Sequence, residues 1–136
     1  MFKITKILNS GVNVPETVSL PVTASAAYEV GCALKLTAGA AAHCAATDKP
    51  AFICAEKKAA ASTGTVKAYP VTSDLVLECA VSASPASLAV GNAVTLAVDD
   101  RAMATGVTAT VTNGVATVCD LLRAKATGDK IQVRIL

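Results

Sequence analysis

Apolar and polar residues alternate in several short stretches of the chain, roughly 8–12 residues apart, with turn-forming residues between them. Residues 74–81 and 130–135 both place an apolar side chain at every second position, for example at Leu75, Leu77 and Cys79. A period of two is typical of a β-strand with one buried face. The spacing of these stretches predicts an all-β fold, a small compact barrel or sandwich.

One short phrase occurs twice in the chain. Residues 28–36 read Y-E-V-G-C-A-L-K-L, and residues 88–96 read L-A-V-G-N-A-V-T-L. In both copies a glycine opens a turn that leads into alternating apolar residues, which indicates a strand. The repetition predicts that residues 23–136 form a single β domain built of two related halves, about 23–81 and 88–136.

Residues 1–22 have a different pattern, because Pro15 and Pro21 remove backbone donors and disfavour both a helix and a central strand. We therefore predict an extended N-terminal arm that grips a neighbour by adding a strand or filling a groove. The alternative is a first strand that folds back on its own sheet. We expect the domain to stay folded without the arm. The apolar residues that the arm would present to a partner are Phe2, Ile4, Ile7, Leu8, Val12, Val14, Val18 and Leu20.

The strongest local turn signal is Asn113-Gly114, which lies between V-T-A-T-V-T and V-A-T-V-C. Asn-Gly readily adopts the positive φ angles of a type I′ turn, so a two-residue β-hairpin is predicted here. Its register places Cys119 on the threonine-rich face, which makes Cys119 the thiol that we expect to be most reactive. Asp120 is predicted to cap one or two helical turns within residues 120–126, the one short helix expected in the fold.

Composition and charge narrow the possible partners. Only four of the 136 residues are aromatic, and alanine is abundant, so the core is built from small side chains and would gain from burial against partner subunits. The net charge of +2 is scattered and does not indicate a nucleic-acid partner. No stretch resembles a signal peptide or approaches the roughly 20 apolar residues of a membrane span. We therefore expect a soluble protein made in a cytoplasm.

No catalytic or metal-binding constellation is recognisable in the sequence. The single histidine, His43, adjoins Cys44, and neighbours in a strand point to opposite faces, so the two do not form a catalytic dyad. Asp99 and Asp100 lack further spaced oxygen ligands for calcium, and we expect them to stabilise a turn. Neither an enzyme nor a cofactor is predicted. The five cysteines, expected to be small buried thiols, are Cys32, Cys44, Cys54, Cys79 and Cys119.

Several runs of the sequence together resemble one family. These runs are Y-E-V-G-C-A-L-K-L-T-A-G, C-A-A-T-D-K-P-A-F-I-C-A and V-K-A-Y-P-V-T-S-D-L-V-L-E, followed by the ending V-G-N-A-V-T-L…T-N-G-V-A-T-V…G-D-K-I-Q-V-R-I. Over about residues 28–136 the chain is similar to the small head-decoration, or capsid cement, proteins of tailed bacteriophages. The similarity lies in the order of strands and turns.

The resemblance implies a compact, β-tulip-like domain on the outer surface of the capsid, where it bridges neighbouring major capsid protein subunits. Such proteins often form trimers at quasi-threefold positions, and their N-terminal segment often reaches onto the shell. Residues 1–22 would then be the segment that contacts the capsid. By the same resemblance, the chain would be made in the cytoplasm of a host bacterium and located on the virion.

Two other classes of function remain. A surface-exposed receptor- or carbohydrate-binding β module would share the architecture, but such modules normally display aromatic side chains for stacking on sugars. A carrier-like β domain or a fragment of a cytosolic enzyme is the third possibility. A carrier domain needs an exposed lysine at a hairpin tip, and the predicted tip here is Asn113-Gly114.

Overall fold

In a computed structural model, residues 1–8, 10–11 and 14–136 are described, and within them the chain forms twelve β-strands and one 3-10 turn at Pro85–Ser87. The strands in chain order are β1 (Lys3–Ile7), β2 (Val18–Pro21), β3 (Ala33–Thr37), β4 (Ala40–His43), β5 (Phe52–Cys54), β6 (Thr65–Pro70), β7 (Leu75–Ala80), β8 (Ala93–Val94), β9 (Leu96–Val98), β10 (Ala104–Val107), β11 (Ala116–Asp120) and β12 (Lys130–Ile135). The predicted all-β fold is confirmed.

The strands form two antiparallel sheets that pack as a sandwich. The first sheet has the strand order β1-β7-β12-β11-β8. The second sheet has the order β2-β6-β5-β3-β10-β9, and β4 pairs with β3 beside this path. Most neighbouring strands are distant in the sequence, so the fold depends on long-range pairing.

Strands β7 and β12 show how the alternation in the sequence produces a buried face. Leu77 lies opposite Val133 and Cys79 lies opposite Ile131, and all four side chains are buried. Full burial of an aliphatic side chain stabilises a fold by about 1.5–3 kcal/mol. The predicted inward faces of these two strands are therefore present.

The buried side chains form two clusters. The larger cluster lies against the first sheet and contains Leu77 and Ile131 among its members. The smaller cluster lies within the second sheet and contains Tyr28 and Leu34. The Tyr28 hydroxyl donates a hydrogen bond of 2.8 Å to the carbonyl of Ala41, so its one polar atom is satisfied inside that cluster.

Both copies of the repeated phrase form the same turn. The amide after the glycine donates to the carbonyl two residues before it, at 3.2 Å in the first copy and 3.1 Å in the second. Gly31 has φ +85° and Gly91 has φ +93°. A glycine with positive φ at the third position is typical of a type II turn, and side chains with a Cβ rarely adopt that conformation. The glycine of the phrase is thus required by the turn.

The two halves share their hydrogen bonds beyond this turn as well. Three pairs of backbone hydrogen bonds match, each with one bond in the first half and its counterpart in the second. The first pair is Gly31 N–H to Cys54 O and Gly91 N–H to Val118 O, both 2.8 Å, and the second is Ala51 N–H to Leu34 O and Val115 N–H to Val94 O, both 2.9 Å. The third pair is Val22 N–H to Gly64 O at 3.1 Å and Val81 N–H to Asp129 O at 3.0 Å. Parallel bridges at Val22–Ala41 and Val81–Val107 also correspond. The strand order β2-β6-β5-β3 is therefore repeated as β7-β12-β11-β8. In the structure the first half runs from β2 to β6 and the second from β7 to β12, so β7, predicted within residues 23–81, belongs to the second half, and β2, predicted within residues 1–22, belongs to the first. Among the described residues, β1 has no counterpart in this plan.

The prediction of an extended arm over residues 1–22 is wrong for the residues that the structure describes. Strand β1 pairs with β7, and strand β2 pairs with β6. Phe2 and Leu20 are only 4% and 8% exposed, and the Phe2 amide donates to the Gly31 carbonyl at 2.9 Å. Apolar side chains gain more by covering the chain's own core than by remaining in water. The alternative of a strand that folds back is the one observed, and removal of residues 1–22 would remove two strands.

The predicted hairpin at Asn113-Gly114 is also wrong. Strand β10 belongs to the second sheet and β11 to the first, so the segments on either side of the turn do not pair. Asn113 has φ +55°, but Gly114 does not have a positive φ, as a type I′ turn requires. A Cβ on Gly114 would lie 2.3 Å from the Ala93 carbonyl oxygen. This glycine therefore serves a close approach between backbones.

Residues 120–126 form turns where a short helix was predicted. Asp120 accepts a hydrogen bond of 2.8 Å from the Leu122 amide, and Leu122 and Arg123 have φ +48° and +63°. The left-handed backbone at these two residues ends any helical turn before it closes. Within the described residues, no helix has the length and apolar character needed to cross a membrane.

Candidate interaction surface

Most of the apolar residues predicted to grip a partner contribute to the protein's own interior. Phe2 lies in the larger core, and Ile4 and Ile7 pack against it. Leu20 lies in the smaller core, and Leu8 is half-buried. These five side chains are therefore not available as a continuous contact surface.

Two of the predicted contact residues are exposed and lie close in sequence to β2. Val14 is 48% exposed, and Val18, the first residue of β2, is 38% exposed. Val12, which was also predicted to contact a partner, lies outside the described residues. The surface at the start of β2 is thus the part of the predicted site that a partner can reach.

One edge of β2 carries a backbone donor that no strand of the described residues uses. The strand pairs with β6 on one side, and the Val22 amide donates toward that side, to Gly64. Because successive amides of a strand in an antiparallel pair alternate in direction, the Ser19 amide points to the other side. Pro21 has no amide hydrogen to place there. We call the open side of residues 17–21 the β2 edge.

A cleft of about 440 Å³ lies near the start of the chain, and its walls are mostly apolar. Val14, Val30 and Tyr69 contribute to the walls, together with Lys3 and Lys130. Val30 is 53% exposed at the tip of the first repeated turn. The described residues that line the cleft include no Asp or Glu. The cleft therefore combines apolar walls with two lysine side chains.

A second cavity, of about 340 Å³, lies on the first sheet beside Thr117, Cys119 and Arg134. The Arg134 Nε atom donates a hydrogen bond of 2.6 Å to the Ser73 carbonyl, which holds the guanidinium along one wall. Burial raises the pKa of the Cys119 thiol, although the nearby charge of Arg134 opposes this change. Cys119 is half-buried, so it is the most accessible of the five cysteines.

The other four cysteines are buried and free: Cys32, Cys44, Cys54 and Cys79. Burial raises the pKa of Cys44 and of Cys79 to about 12, so both remain protonated at neutral pH. A hydrogen bond to the Cys54 thiol, together with burial, raises the pKa of Cys32. Among the described residues, no group of three or more His, Cys, Asp and Glu side chains is placed to hold a metal ion.

His43 is held by a structural hydrogen bond. Its Nε2 atom lies 2.8 Å from the Ala27 carbonyl oxygen, and because a carbonyl only accepts, Nε2 carries the proton. Its ring packs against Tyr28, with 5.3 Å between the ring centroids. The Nδ1 atom is buried and accepts no hydrogen bond from the described residues. The adjacent Cys44 lies in the larger core, away from Tyr28, so the two side chains face different clusters.

The carboxylate of Asp99 stabilises a turn, as expected from the sequence. It accepts hydrogen bonds from the amides of Arg101 and Met103 at 2.9 and 3.0 Å, and from the Arg101 guanidinium at 2.9 Å. Burial opposes ionisation of Asp99, but these hydrogen bonds outweigh it and hold its pKa below the ordinary value. Arg101 also lies 3.6 Å from Glu29, which links the turn to the first half of the chain.

Sequence reasoning missed the pairing of β1 with β7, and with it the open edge of β2. The signal that would have found it is a weak continuation of the repeat. Residues 18–22 read V-S-L-P-V, and residues 77–81 read L-E-C-A-V, so the apolar positions correspond. The matching bonds of Val22 and Val81 confirm this correspondence in the structure.

No protein-family model, curated protein or solved structure matches this chain.

Proposed function

We propose that the chain is a structural, non-enzymatic virion protein that binds the outer surface of a phage capsid and stabilises it by bridging major capsid protein subunits. The resemblance of residues 28–136 to capsid cement proteins supports this role. The observation that carries the proposal is the β2 edge, which lies in a rigid sheet and next to exposed Val18. A protein that ties other chains together needs such a surface on a scaffold that does not deform.

The internal repetition supplies the rigid scaffold. The same hydrogen-bond plan holds each half, and β1 joins the halves because its strand pairs with β7 while Phe2 covers the turn at Gly31. The ion pair between Glu29 and Arg101 adds a second link. On a capsid lattice, weak contacts repeated by many copies add up through effective concentration, so each interface can be small.

The resemblance also supports a homotrimer at quasi-threefold positions and a location on the outside of the virion. The small-residue core is compatible with association, because burial against other subunits would add to a core with few aromatic side chains. In this proposal the major capsid protein is the partner, and neither nucleic acid nor a membrane takes part.

Co-sedimentation with phage heads that lack this chain tests the proposal. We expect saturable pelleting at a fixed ratio to the major capsid protein, and that ratio reports which symmetry positions are occupied. Folded protein that stays in the supernatant at every concentration would contradict capsid binding.

The alternative of a carbohydrate-binding module predicts exposed aromatic side chains for stacking on sugars. Phe2 and Tyr28 are 4% and 1% exposed, and Phe52 and Tyr69 are half-buried. These burial values favour the capsid proposal. Binding to immobilised glycans, without pelleting on heads, would reverse the preference.

A further inference from the structure

The two halves differ at the outer edge of one strand. In the second half, β1 covers the edge of β7. In the first half, the corresponding strand is β2. Val18 of β2 lies opposite Ala68 of β6, and at the matching position of the second half Leu77 of β7 lies opposite Val133 of β12. The β2 edge is therefore the position where the repeated plan has room for a strand and the described residues supply none.

The covered edge shows how such a strand would bind. Lys3 lies opposite Glu78 and Ile4 lies opposite Leu77, in antiparallel register. By the correspondence between the halves, Ser19 takes the place of Glu78, and Val18 takes the place of Leu77. An added strand would thus set an apolar side chain beside Val18, which is 38% exposed.

The prolines that flank β2 do not block this arrangement. Pro21 corresponds to Ala80, which lies beyond the last residue that β1 pairs with. Pro15 corresponds to Asp74, which acts toward β1 as an acceptor: the Leu8 amide donates to its carbonyl at 2.9 Å. A proline keeps its carbonyl, so the same bond remains possible. The outward donor of β2 that the added strand needs, the Ser19 amide, is present.

We propose that the β2 edge binds an extended segment of the partner protein by antiparallel strand addition, in the way that β7 binds β1. The segment has the chemistry of residues 2–8 of this chain, which read F-K-I-T-K-I-L and alternate between apolar and polar over residues 2–5. Backbone hydrogen bonds supply the affinity, and the exposed Val18 side chain favours an apolar side chain beside it. The inference rests on the proposed function for the identity of the partner, the major capsid protein.

A second copy of the chain fits the edge less well than a partner segment. Its residues 2–8 already pair with β7, and Phe2 is 4% exposed in the core. If two β2 edges paired around Ser19, Thr17 of each copy would face Pro21 of the other. The missing proline amide would remove one hydrogen bond at each end of a short strand.

A peptide with the sequence of residues 1–8 tests strand addition on the intact protein. Amide exchange measured by NMR should slow at Ser19 when the peptide is added, and it should stay unchanged at Glu78. If exchange at Ser19 does not slow, the inference is overturned. A response at Glu78 in place of Ser19 would also overturn it, because the peptide would then be replacing β1.

Two substitutions at one position sharpen the test. Ser19→Pro removes the outward amide, so we expect at least tenfold weaker peptide binding, whereas the matched control Ser19→Ala keeps the amide and the affinity. Equal affinities for the two folded variants would overturn the inference. If Ser19→Pro does not fold, the exchange data on the unmodified protein decide alone. Self-association that Ser19→Pro abolishes would assign the edge to a second copy and overturn the choice of partner.

Pelleting of the same variants on phage heads separates the two proposals. If the peptide binds the β2 edge but no variant pellets with heads, the capsid proposal fails and strand addition stands. If Ser19→Pro and Ser19→Ala pellet equally and the peptide does not bind, strand addition fails and the capsid proposal stands.

Discussion

The two halves of the molecule follow one backbone plan but have different surroundings. In the first half, the turn at Gly31 is covered, and a Cβ there would lie 2.5 Å from the Phe2 carbonyl oxygen. In the second half, the turn at Gly91 is open, and a Cβ there would meet nothing within 4 Å. The outer strands differ in the opposite sense. In the second half the edge of β7 is covered by β1, and in the first half the edge of β2 is open. One N-terminal segment therefore makes the halves unequal, because it covers the turn of one half and the edge of the other.

The cores of the halves differ as well. The first half buries Tyr28, whose hydroxyl bonds to the backbone, and the second half has Leu88 at the matching place in the repeated phrase. Cys32 is buried in the first turn, and Asn92 takes its place in the second. The shared hydrogen bonds are thus compatible with different side chains, provided that the turn glycines and the alternation remain.

Replacing Phe2 by Ala should cause the largest loss, since this side chain belongs to the core and its residue joins β1 to the first half. We expect the free energy of unfolding in denaturant to fall by about 3–5 kcal/mol. The control Val30→Ala lies at the adjacent turn but is 53% exposed, and it should change stability by about 0.5 kcal/mol or less. A loss below 1 kcal/mol for Phe2→Ala would mean that the segment contributes little to joining the halves.

The pair Gly31→Ala and Gly91→Ala compares the covered turn with the open one. Both substitutions force a Cβ into positive φ, at a cost of about 1–2 kcal/mol. At Gly31 the new Cβ also meets the Phe2 backbone, and such crowding costs about 1–3 kcal/mol more. Thermal unfolding should therefore show the lower melting temperature for Gly31→Ala. Equal melting temperatures would contradict the contact between Phe2 and the turn.

Tyr28→Phe tests the polar contact that only the first core has. The hydroxyl donates to the Ala41 carbonyl at 2.8 Å and accepts from the Thr23 amide at 2.9 Å. Its removal leaves the Thr23 amide unsatisfied, whereas the Ala41 carbonyl keeps a hydrogen bond of 2.6 Å from the Thr23 hydroxyl. We expect a loss of about 1–3 kcal/mol in the free energy of unfolding. Tyr69→Phe is the matched control, because Tyr69 is half-buried at the cleft, and a comparable loss there would argue against this explanation.

Much of the fold could be predicted from the sequence, because the spacing of apolar residues within a strand indicates which of its side chains are buried. Strands β7 and β12 and the two turn glycines follow from alternation and from the repeated phrase. The prediction of a hairpin at Asn113-Gly114 was wrong because long-range pairing places the flanking strands in different sheets. The prediction of an extended arm was wrong for a related reason. The partner of β1 is distant in the sequence, as the pairing of Lys3 with Glu78 shows. Local patterns identify strands, but they do not specify which strands pair.

The same limit applies to the candidate surface. Val14 and Val18 were predicted as contacts together with Phe2 and Leu20, since hydrophobicity alone does not separate exposed from buried positions in a strand. The β2 edge became visible only when the neighbours of β2 were known. Its use by a partner stays a prediction.

Asp48→Asn should change the dependence of stability on pH. The carboxylate accepts hydrogen bonds from Lys35 Nζ at 2.6 Å and from the Ala45 amide at 2.7 Å, and these bonds lower its pKa below the ordinary 3.8. The stabilisation is therefore present above pH 3.8 and is lost as pH falls through the lower pKa of the folded state. Asp48→Asn should flatten the acid limb of the curve in denaturant unfolding. An unaltered acid limb for Asp48→Asn would contradict this role.

Cys119 should react first with a thiol reagent in the native protein. Modification of this half-buried side chain should change stability less than any of the substitutions above. The other four cysteines are buried, three of them in the first half and Cys79 in the second, so they react only when the structure opens. Because burial raises the pKa of Cys119, its thiolate is scarce at neutral pH, and labelling should accelerate as pH rises. Mass spectrometry of partly labelled protein identifies the site, and Cys119→Ser should abolish the fast phase. Earlier labelling at Cys32 or Cys54 would show that the first half opens more readily than the second.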